Sequence, residues 1–258
     1  MKRRPQQHNQ SWVSAILLAV FPTWSVRLLV NSMGHRIAPG ARIGFSLVLT
    51  RQLYMDSESS IGHLSLLRVN RVVMRPNSRI GHMNNCYGPL SIWLKSRAAV
   101  GNRNTVSRAR RGITYSPAML RLGELSKITA QHKVDCTASV IFGDFSTLAG
   151  AGSQVWTHGY IFHGTGAGRY RVDGKVVVGN NVSIGSRAMI TGGVTIASGI
   201  AVGAGASVAR SLTKPGLYVA AALRAISYPQ DPALRDDLEK IDGAELVEVV
   251  YKKVDDSS

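Results

Sequence analysis

One stretch of the chain, residues 178–212, repeats with a strict six-residue period. Its aliphatic anchors are Val178, Ile184, Ile190, Ile196, Val202 and Val208, and a second apolar set follows them by four positions, Val182, Ala188, Val194, Ile200, Ala206 and Leu212. Apolar residues recur every three to four positions on a helix and every two positions on a half-buried strand, so neither element explains a period of six. A short strand followed by a tight turn, repeated along the chain, does explain it.

Small residues follow most of these anchors, namely Gly179, Gly185, Ala197, Gly203 and Ala209. Three six-residue units make one triangular coil, in which each anchor stacks on its equivalent about 4.8 Å away in the next coil. At a corner, a side chain would clash or φ must be positive, and glycine tolerates both conditions. The repeat therefore predicts an all-β fold, a parallel β-solenoid, and not a buried run in an ordinary sheet.

The same six-residue step continues upstream in a degenerate form. The predicted anchors there are Ile37, Ile43, Leu49, Ile61, Leu67, Ile80, Cys86, Ile92, Ala98, Val100, Val106, Leu122, Ile128, Val134, Val140, Phe142 and Leu148. In places the series shifts by two residues. Because side chains in a strand alternate between two faces, a shift of two leaves the same side chains pointing inward, and a corner can accommodate it. We therefore expect a solenoid domain over residues 37–226, a helical segment over 1–36, and a C-terminal segment over 227–258 with a short charged helix at 232–240 and an acidic tail.

An insertion interrupts the repeat between Val155 and Val178. Residues 156–177 are rich in glycine, lack regular aliphatic anchors and include His158, His163 and Tyr160. They cannot form another coil, so we expect a long loop. Loops that project from a rigid scaffold are where binding and catalysis are usually located.

Charge and cysteine content constrain the partners and the compartment. The net charge is +16, and no carboxylate occurs between Arg68 and Arg121. Such a basic stretch predicts an anionic partner, either membrane headgroups, a nucleotide-bearing ligand or nucleic acid, and the last ranks lowest because no nucleic-acid-binding motif accompanies it. Cys86 and Cys136 are too few for a disulfide framework, so we expect a reducing compartment and a cytoplasmic protein.

The N-terminal segment allows two interpretations. Residues 12–30 are apolar, carry Trp12 and Trp24, and are interrupted by Pro22. The uninterrupted part is shorter than the roughly 20 residues that span a bilayer, and no small-residue cleavage site follows it. With the preceding Lys2, Arg3 and Arg4, the segment suits a helix in the interface of an anionic membrane, which would place the protein peripherally at the inner membrane face. A helix that caps the open end of the solenoid is the alternative, and one helix could serve both roles.

The repeats resemble those of the hexapeptide-repeat acyltransferases, in which an aliphatic residue is followed by Gly or Ala. Residues 154–224 are similar to the catalytic half of this family, especially to O-acetyltransferases of bacterial surface polysaccharides and to galactoside and maltose acetyltransferases. The matching motifs are Trp156-Thr157-His158, Val178-Gly179-Asn180-Asn181-Val182, Ile184-Gly185-Ser186, Gly193-Val194-Thr195-Ile196, Val202-Gly203-Ala204-Gly205 and Tyr218-Val219 up to Arg224. The resemblance implies a left-handed parallel β-helix, a homotrimer with active sites between subunits, and acetyl-CoA lying along the coils.

The resemblance also assigns roles to residues. His158 matches the catalytic base, and imidazole chemistry suits the removal of a proton from a sugar hydroxyl that attacks a thioester. The backbone N–H near Ser186 matches the group that polarises the thioester carbonyl, and Ala204 matches a residue beside the pantetheine arm. Arg210 and Arg224 match basic positions near the adenosine phosphates. The departures from the family pattern lie at the edge of the cofactor cleft, at Gly192, Ala209, Ala220 and Ala222.

The implied activity is acetyl-CoA-dependent O-acetylation of a glycan or of a nucleotide- or lipid-linked sugar, and two alternatives stay open. His158 and His163 have the spacing of a histidine pair in the related γ-type carbonic anhydrases, which bind zinc. A catalytic zinc needs three protein ligands, and the third would lie about 36 residues upstream, near Leu122, whereas the nearest histidine is His132. We therefore expect no metal. The other alternative is a non-catalytic scaffold, which a failure to bind acetyl-CoA would favour.

Overall fold

A computed structural model describes residues 12–109, 114 and 116–220, together with the backbone of three short strands closer to the C-terminus. Two helices come first, α1 (Trp12–Val20) and α2 (Thr23–Ser32). The strands that follow are β1 (Arg36–Ile37), β2 (Arg42–Ile43), β3 (Leu47–Met55), β4 (Ser60–Ile61), β5 (Leu66–Met74), β6 (Arg79–Ile80), β7 (Asn85–Tyr87), β8 (Leu90–Leu94), β9 (Ala99–Val100), β10 (Thr105–Ser107), β11 (Ala118–Leu122), β12 (Lys127–Ala130), β13 (Lys133–Asp135), β14 (Val140–Phe142), β15 (Thr147–Ala151), β16 (Gln154–Val155), β17 (His158–Phe162), β18 (Arg169–Asp173), β19 (Val176–Val178), β20 (Ser183–Ile184), β21 (Met189–Ile190), β22 (Thr195–Ile196), β23 (Ile200–Val202), β24 (Ser207–Val208), β25 (Gly216–Tyr218), β26 (Ala225–Ile226), β27 (Leu238–Ile241) and β28 (Val250–Lys253).

These strands form a parallel β-solenoid of about nine coils with three faces. Face one contains β7, β10, β13, β16, β21 and β24, and face two contains β1, β8, β11, β14, β19 and β22. Face three contains β2, β4, β6, β9, β12, β15, β20, β23 and β25. The long strands β3 and β5 run across the corner from face one to face two and pair on both. The predicted solenoid is confirmed, and the left-handed coiling that the resemblance implies stays a prediction, as do the domain boundaries.

The six-residue anchors form the core. Every predicted anchor from Ile37 to Val208 is buried, and so is each member of the second apolar set from Val182 to Leu212. Equivalent anchors pair in register between coils, as Ile61 does with Ile80 and Ile184 with Val202. The upstream slips of two residues are therefore absorbed without turning an anchor outward.

Glycine has two distinct uses at the corners. At Gly179 and Gly185 a Cβ would lie only 2.6 Å from a backbone nitrogen of the next coil, so these positions need glycine for close approach. Positive φ occurs at other positions, three residues after the first five of the six anchors between Val178 and Val208. These positions are Asn181, Arg187, Gly193, Gly199 and Gly205, with values between 54° and 83°. The first two of these show that the strained position tolerates side chains, so glycine spacing alone does not locate it.

A ladder of buried polar side chains connects the coils along the inside of one corner. Asn104 Oδ1 accepts a hydrogen bond from the His132 backbone N–H at 2.9 Å, and His132 Nδ1 accepts one from the Ser153 backbone N–H at 3.1 Å. Burial lowers the pKa of His132, which favours the neutral ring that this acceptor role requires. His132 is therefore a structural residue of the core.

The two helices cover the first coil. Ala15 and Leu18 of α1 are buried, and His35 joins α1 to the solenoid, because its Nε2 lies 3.0 Å from Ser14 Oγ while its Nδ1 accepts the Leu53 backbone N–H at 3.2 Å. In α2, Thr23 bonds to the backbone of Ile43 in β2. The cap interpretation is thus confirmed. Neither α1 nor α2, the two helices that the structure describes, is long and apolar enough to cross a membrane.

The C-terminal helix prediction is wrong where the structure tests it. Residues 238–240 lie in β27, which pairs antiparallel with β28, whereas residues 232–237 lie outside the described part of the chain. Pairing with a strand further along the chain supplies hydrogen bonds that a local helix pattern does not reveal.

Candidate active site

The insertion forms a β-hairpin at the corner where face one ends and face two begins. It leaves face one after β16, pairs β17 with β18 in antiparallel register, and enters face two at β19. The register puts His158 opposite Asp173 at the base of the hairpin and Phe162 opposite Arg169 near its tip. The prediction that this segment is not a coil is confirmed, although it is a hairpin and not an irregular loop.

Asp135, on β13 one coil upstream, holds His158 at the base of this hairpin. Its carboxylate Oδ2 lies 2.9 Å from His158 Nδ1. The same oxygen accepts hydrogen bonds from the Thr157 hydroxyl at 2.6 Å and the Thr157 backbone N–H at 3.0 Å, and Oδ1 accepts one from Thr137 at 2.9 Å. The Asp135 side chain is 7% exposed and that of His158 is 25% exposed, so a buried carboxylate supports a ring that reaches the surface.

The surroundings keep Asp135 ionised. Burial would raise the pKa of this carboxyl, but the hydrogen bonds from Thr157, His158 and Thr137 outweigh it and hold the pKa below its usual value. A carboxylate can only accept hydrogen bonds, so Nδ1 of His158 carries the proton. Nε2 of the neutral ring then has a free lone pair, and Asp135 would stabilise the imidazolium formed when Nε2 takes a proton.

Aromatic rings flank His158. The Trp156 ring lies 6.1 Å away and the Tyr160 ring 6.0 Å away, and both are close to perpendicular to the imidazole. The Arg169 guanidinium lies 4.6 Å from the centre of the Tyr160 ring. These ring contacts, together with the bond to Asp135, limit the rotation of the imidazole.

Arg210 lies at the same corner of the solenoid as His158. The Trp156 N–H bonds to the Ile190 carbonyl, and the Thr191 N–H bonds to the Val208 carbonyl in the following coil. This register places Arg210 at the position equivalent to Thr157 two coils further towards the C-terminus, with an exposed side chain. Arg224, the second predicted phosphate contact, lies outside the described residues.

Ser186 and Ala204 lie at a different corner, between face three and face one. They stack in successive coils, because the Gly205 N–H bonds to the Ser186 carbonyl at 2.8 Å. In one chain, therefore, the structure brings Arg210 to the His158 corner but does not bring Ser186 and Ala204 there. A site that uses all four residues would need the Ser186 corner of a second chain.

Asp135 was missed by sequence reasoning. It is 23 residues from His158 and belongs to no motif quoted above, yet the two side chains bond directly. A register argument could have found it, because β13 and β16 pair in parallel and so place Asp135 beside the residues that precede the hairpin.

The histidine pair of the zinc alternative is not a chelating pair. His158 begins β17 and His163 follows its last residue, so about 16 Å of extended strand separates them. The His163 ring instead contacts Tyr170 at 6.3 Å. Across the described residues, no group of three or more His, Cys, Asp or Glu side chains is placed to hold a metal ion.

No protein-family model and no curated protein sequence matches the chain. Among solved structures, the polysialic acid O-acetyltransferase OatWY aligns with a TM-score of 0.57 and 15% identity, over 78% of this chain and 97% of that one. The N-acyltransferase AntD from Bacillus cereus aligns at 0.41 with 17% identity, over 78% and 87%, and a hexapeptide-repeat-containing acetyltransferase from Vibrio cholerae at 0.39 with 21% identity, over 49% and 71%. At such low identity the likeness to OatWY establishes the fold alone. The chain therefore has the β-solenoid fold of a protein that is itself a polysialic acid O-acetyltransferase.

Proposed function

We propose that this protein is an acyltransferase that moves an acetyl group from acetyl-CoA to a hydroxyl group of a glycan or of a nucleotide- or lipid-linked sugar. The observation that carries the proposal is the buried Asp135 carboxylate bonded to His158 Nδ1 at the base of the hairpin. The arrangement fixes the tautomer of His158 and leaves Nε2 as the unprotonated nitrogen of a ring that is 25% exposed. The shared fold of OatWY, an O-acetyltransferase of a sugar polymer, supports the same reaction class.

The proposed reaction is a direct transfer. Nε2 of His158 takes the proton of the acceptor hydroxyl while its oxygen attacks the thioester carbonyl, and Asp135 stabilises the resulting imidazolium. The carbon–sulfur bond then breaks, and the imidazolium returns its proton to the departing CoA sulfur. The products are the acetyl ester and free CoA. Both cysteines of the chain are buried, and burial raises the pKa of the Cys86 thiol to about 12, so an acyl-cysteine route has no support.

The complete site is proposed to form between two copies of the chain in a homotrimer. The His158 corner of one copy would face the Ser186 corner of its neighbour, which holds Ser186 and the exposed Ala204. The Ser186 backbone N–H has no acceptor among the described residues and would donate to the thioester carbonyl. Arg210 and Arg224 would bind the phosphates of CoA.

Mixing two inactive variants tests both the reaction and the shared site. His158→Ala removes the base from one corner, and Ala204→Arg blocks the other corner with a large side chain at an exposed position. Neither pure variant is expected to transfer acetyl groups from acetyl-CoA to a glycan acceptor. Oligomers refolded from both chains should regain activity, because some interfaces then combine two intact corners, and release of free CoA is the measurement.

The matched control is a mixture of His158→Ala with a His158→Ala, Ala204→Arg double variant, which contains no intact pair of corners and should stay inactive. Equal activity in both mixtures would contradict the shared site. Absence of acetyl-CoA binding and turnover by the wild-type protein would contradict the proposed activity and favour the scaffold alternative.

The outer surface of the two N-terminal helices is proposed to bind an anionic lipid surface. Eight large apolar side chains there are at least half exposed, Trp12, Val13, Ile16, Val20, Phe21, Trp24, Leu28 and Leu29. The first carboxylate of the chain is Asp56, so the whole N-terminal region is basic. Apolar burial in the interface and attraction of about 1 kcal/mol per basic residue would act together.

Substituting the exposed apolar residues separates this role from the cap. Trp24 is 79% exposed and Leu28 74% exposed, so Trp24→Ser with Leu28→Ser should weaken sedimentation with anionic vesicles without changing the melting temperature or the oligomer. Leu18→Ala, at a buried position, should instead cost about 2–5 kcal/mol of stability. If vesicle binding survived both the double substitution and high salt, the outer surface of the two helices would not be what binds the lipid.

A further inference from the structure

A groove crosses the outer surface of face two in the first half of the solenoid. It consists of two cavities of about 410 Å³ and 400 Å³ that share Val73, Arg75 and Trp93 as lining residues. Arg36, Tyr54, Asp56 and Arg71 line the first cavity, and Leu94, Lys95, Met119 and Arg121 line the second. We refer to the two cavities together as the Arg71 groove.

The strand register explains why a groove forms here. Tyr54, Val73, Trp93 and Arg121 are partners in successive coils, so their side chains form one outward column. Val73, whose side chain is shorter than those of its neighbours, lies between Tyr54 and Trp93 and forms the floor of the groove there. At about 4.8 Å per coil, the five rows from Arg36 to Arg121 extend about 19 Å, which gives the groove the length of a chain molecule and not of a single small ligand.

The lining of the groove is cationic. Arg36, Arg71, Arg75, Lys95 and Arg121 contribute five positive charges, against the single carboxylate of Asp56. Arg75 pairs with Asp56 at 3.2 Å, and Lys95 pairs with Asp144 at 3.0 Å. Among the described residues, Arg36 and Arg71 have no carboxylate partner, so their charge is available to a ligand.

Arg71 is held in place by its neighbours. Its Nε donates to Gln52 Oε1 at 2.8 Å, and its guanidinium lies 5.3 Å from the Tyr54 ring centre and 6.0 Å from that of Trp93. A guanidinium that is already held between two rings loses little conformational freedom when it binds a ligand. Its planar set of N–H donors matches the two oxygens of a carboxylate. Arg71 is therefore a preorganised anion contact with aromatic surfaces on both sides.

The groove leads towards the candidate active site. Its central column continues from Arg121 through Ile141 to Val177, which belongs to the coil that carries the hairpin. The column of Arg71 continues through Ser91 and Met119 towards Ser139. The Ser139 carbonyl accepts a hydrogen bond from the Val176 N–H, and Val176 directly follows the exposed Lys175. From the last row of the groove, two further coils, about 10 Å, reach the coil with His158.

We propose that the Arg71 groove binds an anionic glycan chain, with carboxylates on Arg71 and Arg36 and sugar rings against Tyr54 and Trp93. The inference rests on the proposed function for one point, that the acceptor is a glycan whose modified residue reaches His158. It deepens that function by assigning the acceptor class: a polymer with a carboxylate on its sugar residues, held several residues away from the reacting hydroxyl.

Calorimetric titration of the full-length protein with hexagalacturonate, an acidic hexasaccharide, tests the proposal without any need for turnover. Hexagalacturonate should bind, and neutral maltohexaose should bind at least about tenfold more weakly. Arg71→Gln and Trp93→Leu should each weaken hexagalacturonate binding about tenfold. The matched control is Arg79→Gln, which removes an exposed arginine from face three and should change the affinity by no more than about twofold.

Several results would overturn the inference. These are no binding of hexagalacturonate, equal binding of maltohexaose, or an affinity that Arg71→Gln leaves unchanged. Equally tight and equally sensitive binding of inorganic polyphosphate or of single-stranded DNA would make the groove a general polyanion site and would also overturn it. Binding with the expected sensitivity but without acetyl transfer would support the groove and contradict only the proposed function.

Discussion

Replacing His158 with alanine is expected to lower acetyl transfer by about 10²–10⁴-fold while acetyl-CoA binding survives. Within the Asp135–Thr157–His158 cluster only the imidazole reaches the surface, so its loss removes the proposed base while Asp135 keeps its hydrogen bonds from Thr157 and Thr137. Initial rates of CoA release measure the first effect. Equilibrium titration with CoA measures the second.

His163→Ala is the matched control, because it removes the other histidine of the hairpin beyond its last strand residue, far from Asp135. It should keep most of the activity. Near-normal turnover by His158→Ala would reject the assignment of the base. Activity that disappeared with EDTA and returned with zinc would favour the metal alternative over direct base catalysis.

Asp135→Asn is expected to lower the turnover number by at least about 10²-fold with little change in KM for acetyl-CoA, because an amide no longer fixes the Nδ1–H tautomer of His158 or stabilises its imidazolium. In the proposed reaction Asp135 is a positioning residue, which acts on the substrate only through His158. Asp135→Glu, which keeps a carboxylate beside Nδ1, should therefore recover part of the lost turnover number, whereas a purely structural role of Asp135 predicts no such recovery.

Asp173→Asn supplies the control for this prediction. Asp173 also stands at the base of the hairpin, but its carboxylate bonds to Arg171 and not to His158. Its substitution should leave the turnover number nearly unchanged. An equal loss of turnover in both variants would show that the substitutions disturb the hairpin fold and not the carboxylate–imidazole contact.

The carboxylate also affects stability in a pH-dependent way. The pKa of Asp135 is lower in the folded protein than its ordinary value, so its contribution to stability is complete above the unfolded-state pKa and is lost as the pH falls through the folded-state pKa. Asp135→Asn should therefore destabilise the protein more at neutral pH than in strong acid. Urea unfolding at both pH values measures the difference.

The sequence predicted the solenoid because each six-residue unit repeats the same local requirement. Val178, Ile184 and Ile190 each fill one side of the triangle, and the period identifies the inward position without knowledge of which coil lies next to it. The position of the insertion that carries the candidate site was predicted for the same reason, since a break in a regular repeat is visible in one chain. The resemblance then implied that His158 is the base, which stays a prediction.

Contacts between coils were decided only by the tertiary structure. Asp135 reaches His158 across 23 residues, and Arg71 meets Tyr54 and Trp93 from neighbouring coils, because parallel stacking aligns residues whose separation varies with every slip and insertion. The division of Ser186 and His158 between two corners likewise follows from where each chain segment turns. A periodic sequence determines which side chains face inward, whereas the stacking of coils determines which outward side chains meet.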